Sequence, residues 1–286
     1  RPRITPFKPS SQSGLRNCLS YPAFATKSRF PGNTRPKGPE TVSRGEAFIY
    51  GTESLSPIGY KKIMPEIEYI DDKMETEELL ASLSDPVRNW FEDTFPDFTE
   101  PQKIAIPRIM KGEHLLLCSP TGSGKTLTAF LSIIDDLVRK SLDGTLPDTV
   151  QCIYISPIKA LANDIQKNLI GPLTEIKERF LPSRAKDIKV GLRTGDTPQK
   201  DRQRMLRKPP HILITTPESL GLGLASKRFR PILEDLRWMI IDEMHSLVPS
   251  KRGTHLSLSL ALMDAVIPSK VQRIGISATM EPLDAV

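Results

Sequence analysis

Cysteine is scarce. Cys18, Cys118 and Cys152 are three in 286 residues, with the spacing of neither a disulfide framework nor a metal site. A reducing interior suits thiols of this kind. No apolar run approaches the roughly 20 residues of a membrane-spanning helix, so the expectation is a soluble, cytoplasmic protein with no membrane partner. No segment repeats at the periods of solenoids or propellers. Acidic residues are missing altogether before Glu40, and residues 1–65 carry 11 Lys and Arg against 3 Asp and Glu. That stretch is rich in Pro and Ser and shows little apolar periodicity, so it cannot bury enough surface to offset the entropy of ordering. It is expected to be a disordered basic tail able to neutralise phosphates. Pro2, Pro6, Pro9, Pro22 and Pro31 oppose the amphipathic helix that an organellar transit peptide needs. The first residue is Arg1 rather than Met, and Met64 or Met74, where organised sequence begins, are the expected starts of the natural protein.

What is present changes sign along the chain. Residues 66–100 hold 12 acids against Lys73 and Arg88, and from Pro101 onward 27 basic residues face 19 acidic ones. The formal net charge of +6 therefore conceals a basic tail over 1–65, an acidic lead-in beginning at 66–85, and a basic body. Only the body bears on a nucleic-acid partner.

The body is organised around Ser119-Pro120-Thr121-Gly122-Ser123-Gly124-Lys125-Thr126. The apolar run Leu115-Leu116-Leu117 precedes it and the amphipathic segment Leu127 to Lys140 follows, so a glycine-rich turn joins a strand to a helix. This is the setting of a phosphate-binding loop. Gly122 and Gly124 let backbone N–H groups around Thr121 and Ser123 face a diphosphate at a helix N-terminus. Lys125 can reach the outer phosphates and the Thr126 hydroxyl can hold Mg²⁺. Ser119 departs from the usual Gly or Ala without touching the reacting atoms. A second signal lies about 120 residues on, where the apolar strand Trp238-Met239-Ile240-Ile241 ends in Asp242-Glu243. In parallel α/β sheets the carboxyl ends of strands build the sites. Asp242 can share Mg²⁺ with Thr126, and Glu243 can orient and deprotonate an attacking water.

Before the loop, a helix is expected with Asp85 as N-cap, and a second from Glu100-Pro101 to Lys111-Gly112. Between them Gln102 can pair with the N7/N6 edge of adenine, and Phe98 can cover its ring face. After the loop, strands are expected at Val150–Ile155, Asp187–Gly191, His211–Thr215 and Val271–Ile276. Two of these strand ends carry a candidate contact for a sugar-phosphate backbone, the turn with Pro157 and Lys159 and the capped turn Thr216-Pro217, and Arg193-Thr194-Gly195-Asp196-Thr197 is a polar turn. Each also has a plain structural reading, a β–α turn for Lys159 and a helix cap for Thr216-Pro217. Helix 198–208 is heavily basic and is either a solvated face or a binding patch. Six or seven strands alternating with helices indicate a parallel sheet covered on both faces.

With Gln102, the loop at 119–126, Asp242-Glu243-Met244-His245 and Ser277-Ala278-Thr279 in this order, the sequence resembles the first RecA-like domain of a superfamily 2 helicase. Phe98-Thr99-Glu100-Pro101-Gln102, Pro157-Ile158-Lys159-Ala160-Leu161, Arg193-Thr194-Gly195-Asp196-Thr197, Thr216-Pro217-Glu218-Ser219-Leu220 and Lys251-Arg252-Gly253 narrow this to the large helicase-related (Lhr) family. The resemblance implies an α/β RecA-like P-loop NTPase domain over 86–286, with ATP and Mg²⁺ as cofactors. It implies that Gln102 recognises adenine, that Asp242 and Glu243 are the metal carboxylate and the catalytic base, and that Lys125 acts on the phosphates. His245, Ser277 and Thr279 would couple the ATP site to nucleic acid lying along Lys159, Arg193, Thr194, Gly195, Thr216 and Pro217. It further implies 3′ to 5′ movement on single-stranded DNA, unwinding of DNA or RNA:DNA hybrids, a role in repair, and a second RecA-like domain with arginine fingers that this sequence does not contain. Without that half, binding of ATP and nucleic acid is expected, and efficient hydrolysis and unwinding are not. An RNA helicase of the DEAD/DEAH-like families, or a short non-catalytic binding module, are the alternative readings.

Overall fold

The computed structural model describes residues 46–50, 67–120, 122–157 and 162–278. The tail over 1–45, Thr121, Lys159 and Thr279 lie outside the described residues. Short apolar runs bounded by turn residues become strands: β3 (Leu115–Cys118), β4 (Cys152–Ile155), β5 (Val190–Arg193), β6 (Ile212–Thr215), β7 (Trp238–Ile241) and β8 (Gln272–Ser277). All six are parallel, and β1 (Glu46–Tyr50) and β2 (Ile67–Ile70) extend the sheet antiparallel to them, giving the order β2-β1-β3-β8-β7-β4-β6-β5.

Side chains alternate across each strand, and the central strands are apolar on both sides because helices cover both faces. Cys152 and Tyr154 of β4, Ile212 and Ile214 of β6, and Trp238 and Ile240 of β7 face one core. That core is closed by α1 (Thr76–Ser82), α2 (Asp85–Thr94), α3 (Glu100–Met110), α4 (Lys125–Asp143), α5 (Ala162–Ile165) and α6 (Gly171–Phe180). Ile153, Ile155, Leu213, Met239 and Ile241 face the other, closed by α8 (Pro217–Leu224), α9 (Met244–Leu247) and α10 (Lys251–Val266). Burying each such side chain contributes about 1.5–3 kcal/mol relative to exposure. Between β5 and β6 lies α7 (Gln199–Arg207), which has no buried residue.

Four expectations about boundaries are corrected. The stretch 1–65 was expected to be disordered throughout, yet Glu46–Tyr50 is a strand, paired with β3 from Glu46 opposite Cys118 to Ile49 opposite Leu115. Within the acidic lead-in, β2 joins the sheet and Leu79 of α1 is fully buried, so packed structure begins before 86. The N-cap of α2 is Ser84, not Asp85: Ser84 is extended, and Asp85 is the first helical residue. Ser84 donates through its amide and hydroxyl to Asp135 of α4 at 2.7 and 2.6 Å, and Asp135 also takes Arg139 Nε at 2.8 Å. The strand expected at 187–191 runs instead over Val190–Arg193, as befits a half-buried edge strand whose sequence pattern is weak.

His211, fully buried before β6, accepts the Lys189 amide on Nδ1 at 2.9 Å. Burial, with Lys189 and Lys186 nearby, pushes its pKa down to about 4 from 6.5. The folded protein therefore keeps this imidazole neutral where the unfolded chain protonates it, and the associated stability is lost as pH falls from 6.5 towards 4. Up to about 3 kcal/mol is at stake. Urea midpoints at pH 7 and 4.5 are expected to fall clearly further apart for the native protein than for His211→Asn, which keeps an acceptor and does not titrate. Equal pH slopes in the two proteins would sink the assignment.

Candidate functional site

Because the six strands are parallel, all their carboxyl ends lie along one edge of the sheet, and the strand order sorts what they carry. The loops after β3, β8 and β7 are neighbours on one half of that edge, and those after β4, β6 and β5 occupy the other.

On the first half, the turn after β3 uses Gly122 at φ +86° and Gly124 at φ +82°, a left-handed backbone that strains other residues. Ser119, the departure from the usual Gly or Ala, is 1% exposed and bonds its hydroxyl to that of Ser123 at 2.5 Å, bracing the loop across its mouth. Lys125 opens α4 and places Nζ 2.6 Å from the carbonyls of Ser119 and Pro120. Burial lowers its pKa, an effect that the charges of Glu243 and Asp242 oppose, and the loop after β3 and the turn after β7 lie at the carboxyl ends of the two strands that flank β8. Thr126 follows Lys125 in the first turn of α4, half-buried.

Gln102 reaches this loop from α3. It is 4% exposed, its Oε1 accepts the Thr99 amide at 2.9 Å, and a side chain at Gly124 would meet its Nε2 at 3.1 Å. Thr99 Oγ1 donates to Ser123 O at 3.3 Å, a second tie between the two segments. Phe98, by contrast, is a core residue: it is 4% exposed and stacked on Phe91 at 3.9 Å with planes 15° apart. Its ring belongs to the first core and presents no open platform.

Asp242 is 5% exposed at the end of β7, and burial raises its pKa. Two donors hold the carboxylate in place, the Glu243 amide on Oδ1 at 2.9 Å and the Tyr154 hydroxyl on Oδ2. Tyr154 escaped the sequence reading because an aromatic in a buried strand reads as core. Its ring does stack on Phe130 of α4, but its hydroxyl fixes the carboxylate. Glu243 has φ +54°, the only positive φ at a non-glycine among the described residues. Such strain persists where surrounding structure enforces it, and it clusters at functional sites. Here it turns the chain sharply from β7 into α9.

His245 connects this turn to β8. Its Nδ1 lies 3.3 Å from the Ala278 amide, a donor, so Nδ1 accepts and the proton sits on Nε2, which points at Glu243 Oε2 3.1 Å away. Ser277 Oγ is 3.2 Å from both the backbone amide and Nδ1 of His245. One imidazole thus joins the Glu243 carboxylate to the segment after β8.

On the other half, Pro157, Thr194, Gly195, Thr216 and Pro217 sit at neighbouring strand ends. Thr216 caps α8 by accepting the Ser219 amide, as its plain reading required. The turn after β5 is held by Thr197 Oγ1 on the Thr194 amide at 2.8 Å, and by Arg202 of α7 on the carbonyls of Thr194 and Gly195 at 3.1 and 2.7 Å. Arg193 is half-buried, with its guanidinium 4.5 Å over the Phe229 ring, so it packs against the second core as well as lying at the strand end. Arg252, at the start of α10, ties these loops together. It grips Glu218 of α8 at 2.6 and 3.2 Å and donates to Pro157 O at 2.7 Å. The Arg252 bond holds the Glu218 carboxyl down at about 2. The triplet Lys251-Arg252-Gly253 stood out in the sequence, but nothing there gave Arg252 this task.

A phosphate loop and a strand-end Asp-Glu pair flanking the strand that carries Ser277 define a P-loop nucleotide-binding domain of the helicase type. Residues 99–286 match the DEAD/DEAH box helicase family, and the chain belongs to that family. Within it the similarities run to Lhr proteins. The chain is 51% identical over 217 residues to the ATP-dependent helicase Lhr-Core of Methanothermobacter thermautotrophicus, covering 75% of this chain and 25% of that protein. It is 44% identical over 216 residues to the Lhr helicase/uracil glycosylase of Escherichia coli, covering 73% and 14%. The structure of Mycobacterium smegmatis helicase Lhr bound to ssDNA and AMP-PNP superposes with a TM-score of 0.64 at 44% identity, over 72% of this chain and 26% of that one. The chain thus spans about a quarter or less of the length of these relatives. Among the described residues no helix is long and apolar enough to cross a membrane.

Proposed function

We propose that this domain is the ATP-binding first motor half of an ATP-dependent helicase that moves 3′ to 5′ on single-stranded DNA and unwinds DNA or RNA:DNA hybrids, in the service of DNA repair. The observation that carries the reading is the placing of the Lys125 loop and the Asp242-Glu243 turn at the carboxyl ends of the strands on either side of β8, with His245 leading from Glu243 to Ser277. The relatives' names and the M. smegmatis complex support it. The donor set also fits the cofactors: an ammonium and glycine-loop amides for phosphates, and a hydroxyl and a buried carboxylate with lone pairs to spare for a hard divalent cation. Gln102 would hold adenine; Thr121, Gly122, Ser123, Gly124 and Lys125 the phosphates; Thr126 and Asp242 Mg²⁺. When bound there, the cation would supply positive charge to offset that on the phosphoryl group being transferred.

The chain's own groups do the rest. Tyr154 and the Glu243 amide keep Asp242 aimed. Glu243 orients the attacking water and takes its proton, and the His245 Nε2–H steadies that carboxylate. Pro157, Lys159, Arg193, Thr194, Gly195, Thr216 and Pro217 lie along one strand of nucleic acid, and His245, Ser277 and Thr279 relay between the two sites. Phe98, packed on Phe91 in the first core, takes no direct part. A second RecA-like domain would complete the ATP site with an arginine finger, a group worth about 10³–10⁵ in rate.

The test uses the ATPase-competent protein and partial duplexes with 3′ or 5′ single-stranded tails. Unwinding is expected on 3′ tails, with turnover stimulated by single-stranded DNA and abolished by Lys125→Ala. Stimulation by RNA alone would favour the RNA helicase reading, and equal unwinding from both tails would remove the polarity.

A further inference from the structure

We propose that the outer face of α7 is a second nucleic-acid surface, which grips the phosphates of a duplex arm adjoining the single-stranded track. The proposal rests on the reading of that track given above. Lys200, Arg204 and Arg207 recur at helical spacing, so they form one stripe, Lys208 follows as the C-cap residue, and all four are exposed. The opposite side of the helix is committed elsewhere: Met205 and Leu206 pack on the second core, and Arg202 holds the Thr194 and Gly195 carbonyls. None of the four has an ion-pair partner among the described residues. Around the first core, by contrast, Lys177 pairs with Asp187, Arg179 with Asp93, and Lys186 and Lys189 with Asp148. Like charges four apart destabilise a helix. A merely solvated helix would intersperse acids, and Asp201 is the only one in α7.

Placement gives the stripe its partner. The helix starts directly after the Thr194–Thr197 turn, on edge strand β5, at the end of the sheet far from the phosphate loop. Nucleic acid leaving the track at that turn meets α7 next. From Lys200 to Arg207, its last residue, the helix rises roughly 10 Å, against about 3.4 Å of axis per phosphate on one strand of a duplex, which gives room for about three contacts. No aromatic residue occurs between Asp196 and Pro210. Single-strand surfaces combine basic groups with aromatic platforms for bases. A face of charges alone suits a backbone whose bases are already paired and turned inward.

The experiment measures binding of the chain by fluorescence anisotropy across a salt series, with a short single strand and with the same strand joined to a duplex arm. A variant carrying Lys200→Ala, Arg204→Ala, Arg207→Ala and Lys208→Ala is compared with the native chain, its folding checked by circular dichroism. For the duplex-bearing substrate, the slope of log K against log salt is expected to shrink by about 3, since each phosphate contact contributes about 0.9. For the short single strand, slope and affinity stay unchanged. An unchanged slope on the duplex-bearing substrate overturns the proposal, as does equal loss on both. If the variant loses only binding of poly-glutamate, the face serves an acidic protein and the proposal also falls. Failure of the native chain to bind single strands at all, with duplex binding intact and sensitive to the variant, would count against the track and not against α7.

Discussion

Glu243→Gln is expected to lower ATP turnover by about 10²–10⁴-fold, the usual worth of a positioned general base, while nucleotide affinity stays within a few-fold of native. The separation follows from the geometry. Binding groups sit on the loop after β3 and on α3, whereas Glu243 stands on the turn after β7. A glutamine keeps an oxygen that can accept the His245 Nε2–H now held by Glu243 Oε2 at 3.1 Å, so the turn and its link to Ser277 survive. Only the ability to take a proton from water is lost. Turnover is to be measured under saturating single-stranded DNA on the protein form that hydrolyses ATP, with affinity read from displacement of a fluorescent nucleotide. Retained turnover would show that the base lies elsewhere. Turnover and affinity lost together would show that Glu243 holds nucleotide or structure, and the assigned role would fall.

The parts of the site that the sequence revealed are those whose chemistry is local. A glycine-rich turn between an apolar strand and an amphipathic helix, and an Asp-Glu pair at a strand end, each state their purpose within eight residues. The Thr216 cap does too. Tyr154 and Arg252 were hidden because their partners are distant in sequence, Asp242 lying 88 residues from Tyr154 and Pro157 lying 95 from Arg252. Composition at each position, a buried aromatic and a basic triplet, favours the ordinary reading. Strand β1 was hidden for another reason. Phe48, Ile49 and Tyr50 are good strand formers, but a five-residue strand within a basic, proline-rich stretch does not change that stretch's average. Phe98 errs in the opposite direction, since an aromatic beside the expected adenine site is spent on Phe91.

Gly253→Ala is expected to destabilise the domain by about 3 kcal/mol or more, lowering its Tm by roughly 6–12 °C at this size. A Cβ at Gly253 would lie 2.3 Å from the Leu247 carbonyl oxygen and 2.9 Å from its carbon, and both are backbone atoms that cannot rotate away. Relief requires α9 to separate from the first turn of α10. That separation costs the Ser250 cap, whose hydroxyl accepts the Gly253 amide at 3.3 Å and donates to Leu247 O at 2.7 Å. It also displaces the two residues flanking the junction, His245 on α9 and Arg252 on α10, so both the link to Ser277 and the clamp on Glu218 and Pro157 shift. Gly195→Ala is the matched control, because a Cβ there meets nothing within 4 Å. Thermal melts of the two variants beside the native chain decide the matter. A Gly253→Ala melt within about 2 °C of native would mean that the α9–α10 junction yields freely and that its glycine is incidental. A large loss for Gly253→Ala with none for Gly195→Ala would show that close backbone approach at this corner holds α9 against the first turn of α10.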